Sequence, residues 1–545
     1  MGEARVFKAG QPVVSLWLIM FDLIVRGGFV LDGSGAPPFR ADVGVAGGAV
    51  RRVGDLSGER ADLVIDASGL AVAPGFIDPH NHSDLSIFED PAALNYVAQG
   101  VTTLVVGNCG SSPAPVTGVN RGLIHELLWG EASKSVPIRW SSFSEYLGRL
   151  EELRKSVNVA ALVGHGTVRS AVMGCEARAA ADREVREMEG LVAEAMEAGA
   201  LGMSLGLMYV PGMYAGREEL VRLARVVGRY GGVLAAHMRN EGAGLIDSVV
   251  EVVGIAREAG VSLEISHLKA AGRRNWGLAR RALKLIEYYV WWRGLDVSAD
   301  AYPYEASSTF LSALLPGWVR EGGAEALLRR LRDSRVVERL REELRAGLMG
   351  ERFIGWGDVI ISSSPARREL EGLSLADAAR ELGVDPLSAV IELLTADRGL
   401  TEVVIKAMDP GEVADVIAHP LVAVGSDGLV MREARGRPHP RSYGTFPRVL
   451  GRFVRELRVL SLPEAVRKMT SLPARKFGLL DRGLLRPGCR ADIVVFDPTL
   501  IRDTATYEEP ARMPEGVVHV VVNGEPVLLN GEFTGAAPGS VLRRC

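Results

Sequence analysis

The sequence predicts an α/β fold: a (β/α)8 barrel, with a small β-sandwich domain built from both chain ends. Three observations predict it. Eight apolar runs alternate with amphipathic helix patterns through the middle of the chain. Both ends instead read as short alternating strands separated by glycine turns. Side chains suited to metal ligation or acid–base work recur at the ends of the middle runs, and in a barrel those ends meet at one mouth.

Taken in order, the first apolar run, Pro12 to Phe21, is far shorter than the ~20 residues that cross a bilayer. Arg5 and Lys8 precede it, but no small-residue cleavage site follows, so it is not read as a signal peptide. Residues 1–19 read as an extension ahead of Met20. The segments FDLIVRGGFVLDGSG, ADVGVAGGAVRRVG and DLVIDASGLAVAPG carry the first part of the β domain, over residues 1–72. RADIVVFDP and GVVHVVVNGEPVLLNGEFTG supply the rest, over 479–545.

Between them, residues 73–478 form the expected barrel. Its strands are GFIDPHNH, GVTTLVVGN, NVAALVGHG, ALGMSLGLMY, GVLAAHMR, SLEISHL, DVSADAYPY and LVAVGSDG. Parallel strands need crossovers, and stretches such as DREVREMEGLVAEAMEAG and REELVRLARVVGRYG supply the helices. Residues 306–365, rich in Arg and Glu, break the rhythm and read as a helical insertion after the seventh strand, either a lid or a solvated hairpin.

Composition narrows the function classes. With 47% apolar and 24% charged residues the chain is an ordinary globular protein rather than a disordered one. A net charge of −4 announces no nucleic-acid surface, and no run is long enough for a membrane span. Four cysteines in 545 residues cannot be a disulfide framework, which fits a reducing cytoplasm.

The polar strand ends carry the chemistry. His80 and His82 are two apart and share a face with Asp78; the competing reading is a hydrogen-bonded turn. Cys109 closes the second run in a glycine-flanked turn, beside Asn108. It can be a small buried hydrophobe, a nucleophile with His165 as base, or a zinc ligand. His237 and His267 end consecutive strands, and with Cys109 they offer three protein ligands, the catalytic zinc arrangement that leaves a place for water. Asp427, in VGSDGL, is suited to take that water's proton, although SDG is also a plain turn signal.

On these residues the chain resembles the amidohydrolase superfamily, and within it the N-acyl-D-amino-acid deacylases (D-aminoacylases). The matching segments include PGFIDPHNHSD, GVTTLVVGNCGSSPAP, AAHMRNEG, ISHLKAAG, DAYPYEASST, VGSDG and HPRSYGTFPRVLGRFVRE. They run in order from about residue 22 to the C-terminus. The fourth strand has no lysine to bridge two metals, which argues against hydantoinase- or dihydroorotase-like enzymes. The resemblance implies a tight Zn2+ on Cys109, His237 and His267, and a second, weaker divalent site on His80, His82 and Asp427 bridged by Cys109. It also implies that Lys269, Tyr304, Ser308 and Arg441 grip the substrate's α-carboxylate, with Tyr302 the alternative to Tyr304. An arginine fork and a lysine suit such a carboxylate. The implied reaction is zinc-dependent hydrolysis of the linear amide of N-acyl-D-amino acids, with Asp427 as general base and acid. The alternatives are a glutamate- or aspartate-specific deacylase, a cyclic amidase, a D-peptidase, or an inactive barrel serving as scaffold. The expected partner is a small molecule, not nucleic acid or membrane.

Overall fold

The protein is described by a computed structural model covering residues 20–128, 135–345, 348 and 354–544; the extension expected at 1–19 lies outside them. Eight parallel strands close into a ring. The first, Phe76–Asp78, pairs with the second, Val101–Val106, which pairs with the third, Asn158–Ala161. The third continues as Val163–Gly164, against the fourth, Gly202–Gly206. The fifth, Val233–His237, the sixth, Ser262–Ile265, the seventh, Val297–Ala301, and the eighth, Val422–Val424, follow in sequence order. A parallel bridge between Asn81 and Gly428 returns the eighth to the first. These strands are apolar almost throughout because both faces are covered, by the barrel interior and by helices.

The crossover helices bury one stripe each. In Arg217–Arg229 the buried positions include Leu220, Leu223, Ala224 and Val227, the i, i+3, i+4, i+7 pattern. Each such leucine or valine contributes about 1.5–3 kcal/mol relative to exposure. One end of the barrel interior is plugged: Ile77, Val105, Ala160, Leu162 and Val233 pack against Ala474, Phe477 and Leu479. The plug leaves the C-terminal strand ends as the place for chemistry.

The strands of the two chain ends are hydrogen-bonded as one continuous nine-stranded sheet, where two stacked sheets were expected. The join is Phe21–Val30, which pairs with Ala61–Asp66 along its first half and with Ala71–Pro74 along its second. Gly27 and Gly28 allow the change of partner. Gly27 takes φ +75°, and a Cβ on Gly28 would lie 2.4 Å from Val72. The sheet still encloses a core of its own, including Leu23, Val43, Ile493 and Val521.

The segment expected as a helical insertion is helical only in part. Helices Gly323–Arg330 and Ser334–Leu344 are flanked by strands Ala306–Phe310 and Val359–Ser363, both antiparallel to Glu402–Lys406. The strands are five residues each and close only over long stretches of chain, so Arg- and Glu-rich helix patterns dominate the local signal. No helix among the described residues is long and apolar enough to cross a membrane.

Candidate metal centre and active site

Six side chains that the sequence singles out converge at the open end of the barrel. His80, His82, Cys109 and Asp427 present ligand atoms within 4.8 Å of one another, and so do Cys109, His237 and His267. Cys109 Sγ is shared by both groups, 3.3 Å from His80 Nε2 and 3.4 Å from His267 Nε2. Asp427 Oδ1 lies 2.9 Å from His82 Nε2 and 3.4 Å from His80 Nε2. All six are buried.

The local backbone is bent to achieve this. Cys109, His267 and Asp427 all take positive φ, 53°, 35° and 54°. Non-glycine residues in that region are strained, and such strain gathers at functional sites. At Cys109 the turn is followed by Gly110, where a Cβ would lie 2.5 Å from Gly206 N, so the second strand's end can nestle against the fourth.

The donor set fits a divalent cation that favours nitrogen and sulfur. Both ring nitrogens of His237 are buried without a hydrogen-bond partner. An orphaned imidazole costs free energy unless something binds it. Burial, and then the neighbouring His267, holds His237 well below the ordinary imidazole range; burial and Lys269 do the same for His267. Both are therefore neutral at pH 7, the form that ligates. Burial pushes the Cys109 thiol up to about 11 despite His80 beside it. A cation at this point would draw off the thiol proton, whereas an isolated nucleophile would stay protonated at neutral pH. Burial opposes charge on Asp427, but the Arg441 guanidinium and the His82 hydrogen bond outweigh it and hold the carboxyl well below its usual range.

Supporting groups lie behind the ligands. His80 Nδ1 faces Asp300, whose Oδ1 also accepts the backbone N–H of His267 at 2.8 Å. Asp78 turns away from the cluster and ties the first strand to the eighth: Ser426 N and Oγ donate to it at 2.9 and 2.5 Å. Asn108 donates to Val105 O and is structural. His165 does not join the cluster; its Nε2 lies 2.9 Å from Glu219 Oε1, so it is not placed as a base for Cys109.

A cavity of about 500 Å3 opens onto Cys109, His237, His267 and Asp427. Lys269 and Ser308, two of the four residues the resemblance assigns to the substrate carboxylate, line it. Tyr304 does not; its hydroxyl packs on Gly444 and reaches Pro440 O at 3.5 Å. Tyr302 lines the cavity instead, with a buried, unpartnered hydroxyl and its ring flanked by Lys269 and Arg441. The alternation argument that makes the two tyrosines equivalent fails because the strand ends at Ala301 and Pro303 redirects the chain. Arg441 is engaged with Asp427, Nη1 to Oδ2 at 2.6 Å. Sequence reasoning missed Glu241, which accepts from Lys269 Nζ at 2.7 Å and lies 2.9 Å from His267 Nδ1. Its signal was present: it stands four residues after His237, in the turn leaving the fifth strand.

The chain is 40% identical to the D-aminoacylase of Alcaligenes xylosoxydans xylosoxydans, across 96% of this chain and 98% of that one. It is 40% identical to the N-acyl-D-glutamate deacylase of the same organism, across 96% of each. The crystal structure of N-acyl-D-glutamate deacylase from Bordetella bronchiseptica, with zinc and a phosphonate mimic of the tetrahedral intermediate, superimposes with a TM-score of 0.82. That structure is 38% identical, across 96% of this chain and 100% of the other. The amidohydrolase family profile matches residues 63–528, a span that holds all six candidate ligands; the chain belongs to the amidohydrolase family.

Proposed function

We propose that this protein hydrolyses the linear amide of N-acyl-D-amino acids, releasing a carboxylate and a free D-amino acid. The observation that carries the reading is the Cys109 sulfur, 3.3 and 3.4 Å from two imidazoles beside an unpartnered His237, at the floor of a cavity with carboxylate-binding donors. Cys109, His237 and His267 would hold one zinc tightly, and His80, His82 and Asp427 would complete a second, weaker site around Cys109. Zinc there supplies acidification of a water and polarisation of the acyl carbonyl.

Asp427, ionised and fixed by Arg441, accepts the proton of the attacking water and returns it to the leaving amine. Lys269, Tyr302 and Ser308, with Arg441 behind the tyrosine ring, provide the donors for the α-carboxylate. In this assignment Tyr302 takes the part expected of Tyr304. Holding the carboxylate, the amide and the side chain at three points is what selects one enantiomer. The thiols of Cys109, Cys175 and Cys489 suit a cytoplasmic setting.

The test is chiral analysis of products from racemic N-acetyl amino acids, run with zinc quantification. The expected result is D-amino acid only, with about one zinc or more per chain. Release of the L-enantiomer at a comparable rate, or full turnover in protein stripped of metal, would refute the reading.

A further inference from the structure

A histidine that offers one ring nitrogen to a metal needs the other settled, because the second nitrogen's hydrogen bond fixes the tautomer and the ring's aim. At His80 the partner is Asp300, whose Oδ2 lies 3.3 Å from Nδ1. At His267, Nε2 faces Cys109 Sγ at 3.4 Å, and two groups crowd Nδ1: Glu241 Oε1 at 2.9 Å and Lys269 Nζ at 2.8 Å. A neutral imidazole carries one ring proton. If Nε2 gives its lone pair to a cation, that proton sits on Nδ1, and Nδ1 must donate. Glu241 can accept it; an ammonium, which has donors only, cannot. Lys269 has other acceptors, Glu241 Oε1 at 2.7 Å and His267 O at 2.9 Å. Were Lys269 the partner of Nδ1 instead, the proton would stand on Nε2 and close it to metal.

The backbone holds Glu241 in this place. It stands in the turn leaving the fifth strand, where Asn240 Oδ1 accepts from Gly242 N and Gly244 N at 2.8 and 3.0 Å. Ala271 N donates to Glu241 O at 2.8 Å, which stitches that turn to the one leaving the sixth strand, the turn that carries His267 and Lys269. The Glu241 side chain is only 10% exposed. Its carboxylate is thus an acceptor set in position by the fold, with little water to compete for it.

We infer that Glu241 is a positioning residue for the tight metal: it accepts the Nδ1–H of His267, which leaves Nε2 free for the cation, and it draws the Lys269 ammonium off that ring nitrogen. This rests on the zinc assignment of the deacylase reading. It goes beyond it in naming a residue outside the six candidate ligands on which metal affinity depends. Glu241 forms no bond to substrate or water in this role; it acts through His267.

The experiment measures the zinc dissociation constant of the metal-stripped protein by competition with a chromophoric chelator. It compares native protein, Glu241→Gln, Glu241→Ala, Lys269→Met and the double variant Glu241→Ala/Lys269→Met. Glu241→Ala should bind zinc about 10- to 100-fold more weakly. Glu241→Gln keeps an oxygen acceptor and should stay within a few-fold of native, and so should Lys269→Met, which leaves the partner of His267 in place. The double variant should be as weak as Glu241→Ala. Native affinity in Glu241→Ala overturns the inference. So does recovery in the double variant, which would trace the loss to an unpaired ammonium beside His267. A glutamine variant as weak as alanine also overturns it, because the charge rather than the acceptor would then matter. Should Glu241→Ala fail to fold with Lys269 unpaired, the double variant against Lys269→Met isolates the same lost acceptor, and equal affinity there overturns the inference. In all these outcomes native zinc binding stands, and the deacylase reading with it. A native protein that binds no zinc brings down that reading and the inference together.

Discussion

Asp427 and the two tyrosines of the YPY turn carry the most direct tests. Asp427 is outside the Cys109–His237–His267 group, so its substitution separates proton transfer from metal retention. Asp427→Asn should cut kcat by about 10^2–10^4 while tight zinc stays bound. Steady-state kinetics with zinc analysis on one preparation checks this, and turnover within a few-fold of native would remove Asp427 as the base. Tyr302→Phe should raise KM by roughly 10-fold, because it removes a buried hydroxyl facing the cavity. Tyr304→Phe removes a hydroxyl that reaches only a backbone carbonyl at 3.5 Å, so KM should hardly move. The reverse ranking would return the carboxylate to Tyr304. The clustering of the candidate ligands was legible in the sequence because each ends an apolar run, and chain order fixes where those ends meet. Which tyrosine lines the cavity was not, since both lie beyond the strand, where alternation no longer applies.

Secondary-structure elements were legible in proportion to how locally they are determined. VTTLVV and VLAAH read as buried strands because no carboxylate, lysine, arginine, glycine or proline interrupts them, and DREVREMEGLVAEAME reads as a helix from its stripe alone. ASSTF, VIISS and EVVIK did not, because each finds its partner far along the chain. Helix ends hold a further prediction. Leu462–Met469 is capped by Ser461, and its Lys468 is buried with Nζ donating to the carbonyl of His419, which closes helix Pro410–Ala418. Burial draws the Lys468 pKa down from its ordinary 10.5 to about 7. Between those values the unfolded chain binds a proton there that the folded chain does not, so the contribution of Lys468 to stability rises with pH through that window. Below about pH 7 both states are protonated and the cost of burying the charge is felt in full. Thermal unfolding of the native protein should therefore gain on that of Lys468→Met as pH is raised from 7 to 10. Parallel curves would mean that Lys468 stays charged in the fold.

Across the whole molecule, one side-chain amide at the joint between the barrel and the terminal sheet reaches both. Asn158 opens the third barrel strand and is fully buried. Its Nδ2 donates to Asp492 Oδ2 at 3.2 Å, next to the strand Ile493–Phe496 of the sheet. Its Oδ1 accepts from Asn523 Nδ2 at 2.7 Å and from Ser540 N and Oγ at 3.1 and 3.0 Å. Ser540 leads into Val541–Leu542, which pairs in parallel with Val159 and Ala160. A Cβ on Gly539 would lie 2.1 Å from Val157 O, so only glycine lets the chain pass so close. Asp492 is also paired with buried Arg482, so the network is buried around Asn158, Asp492 and Arg482 and meets solvent at Ser540. Asn158→Ala should leave the Asn523 and Ser540 donors short of an acceptor and Asp492 short of a donor. At about 1–3 kcal/mol per unsatisfied buried group, the loss is roughly 5 °C or more in Tm. Asn158→Asp is nearly isosteric and keeps the acceptor, yet it sets a carboxylate against Asp492. Above the carboxylate titration range it should therefore destabilise at least as much as alanine. If both variants melt within 1 °C of native, the junction does not bind the two parts. If aspartate is silent and alanine is not, the acceptor side alone matters, and the tail Ser540–Leu542 rather than Asp492 is what Asn158 holds in place.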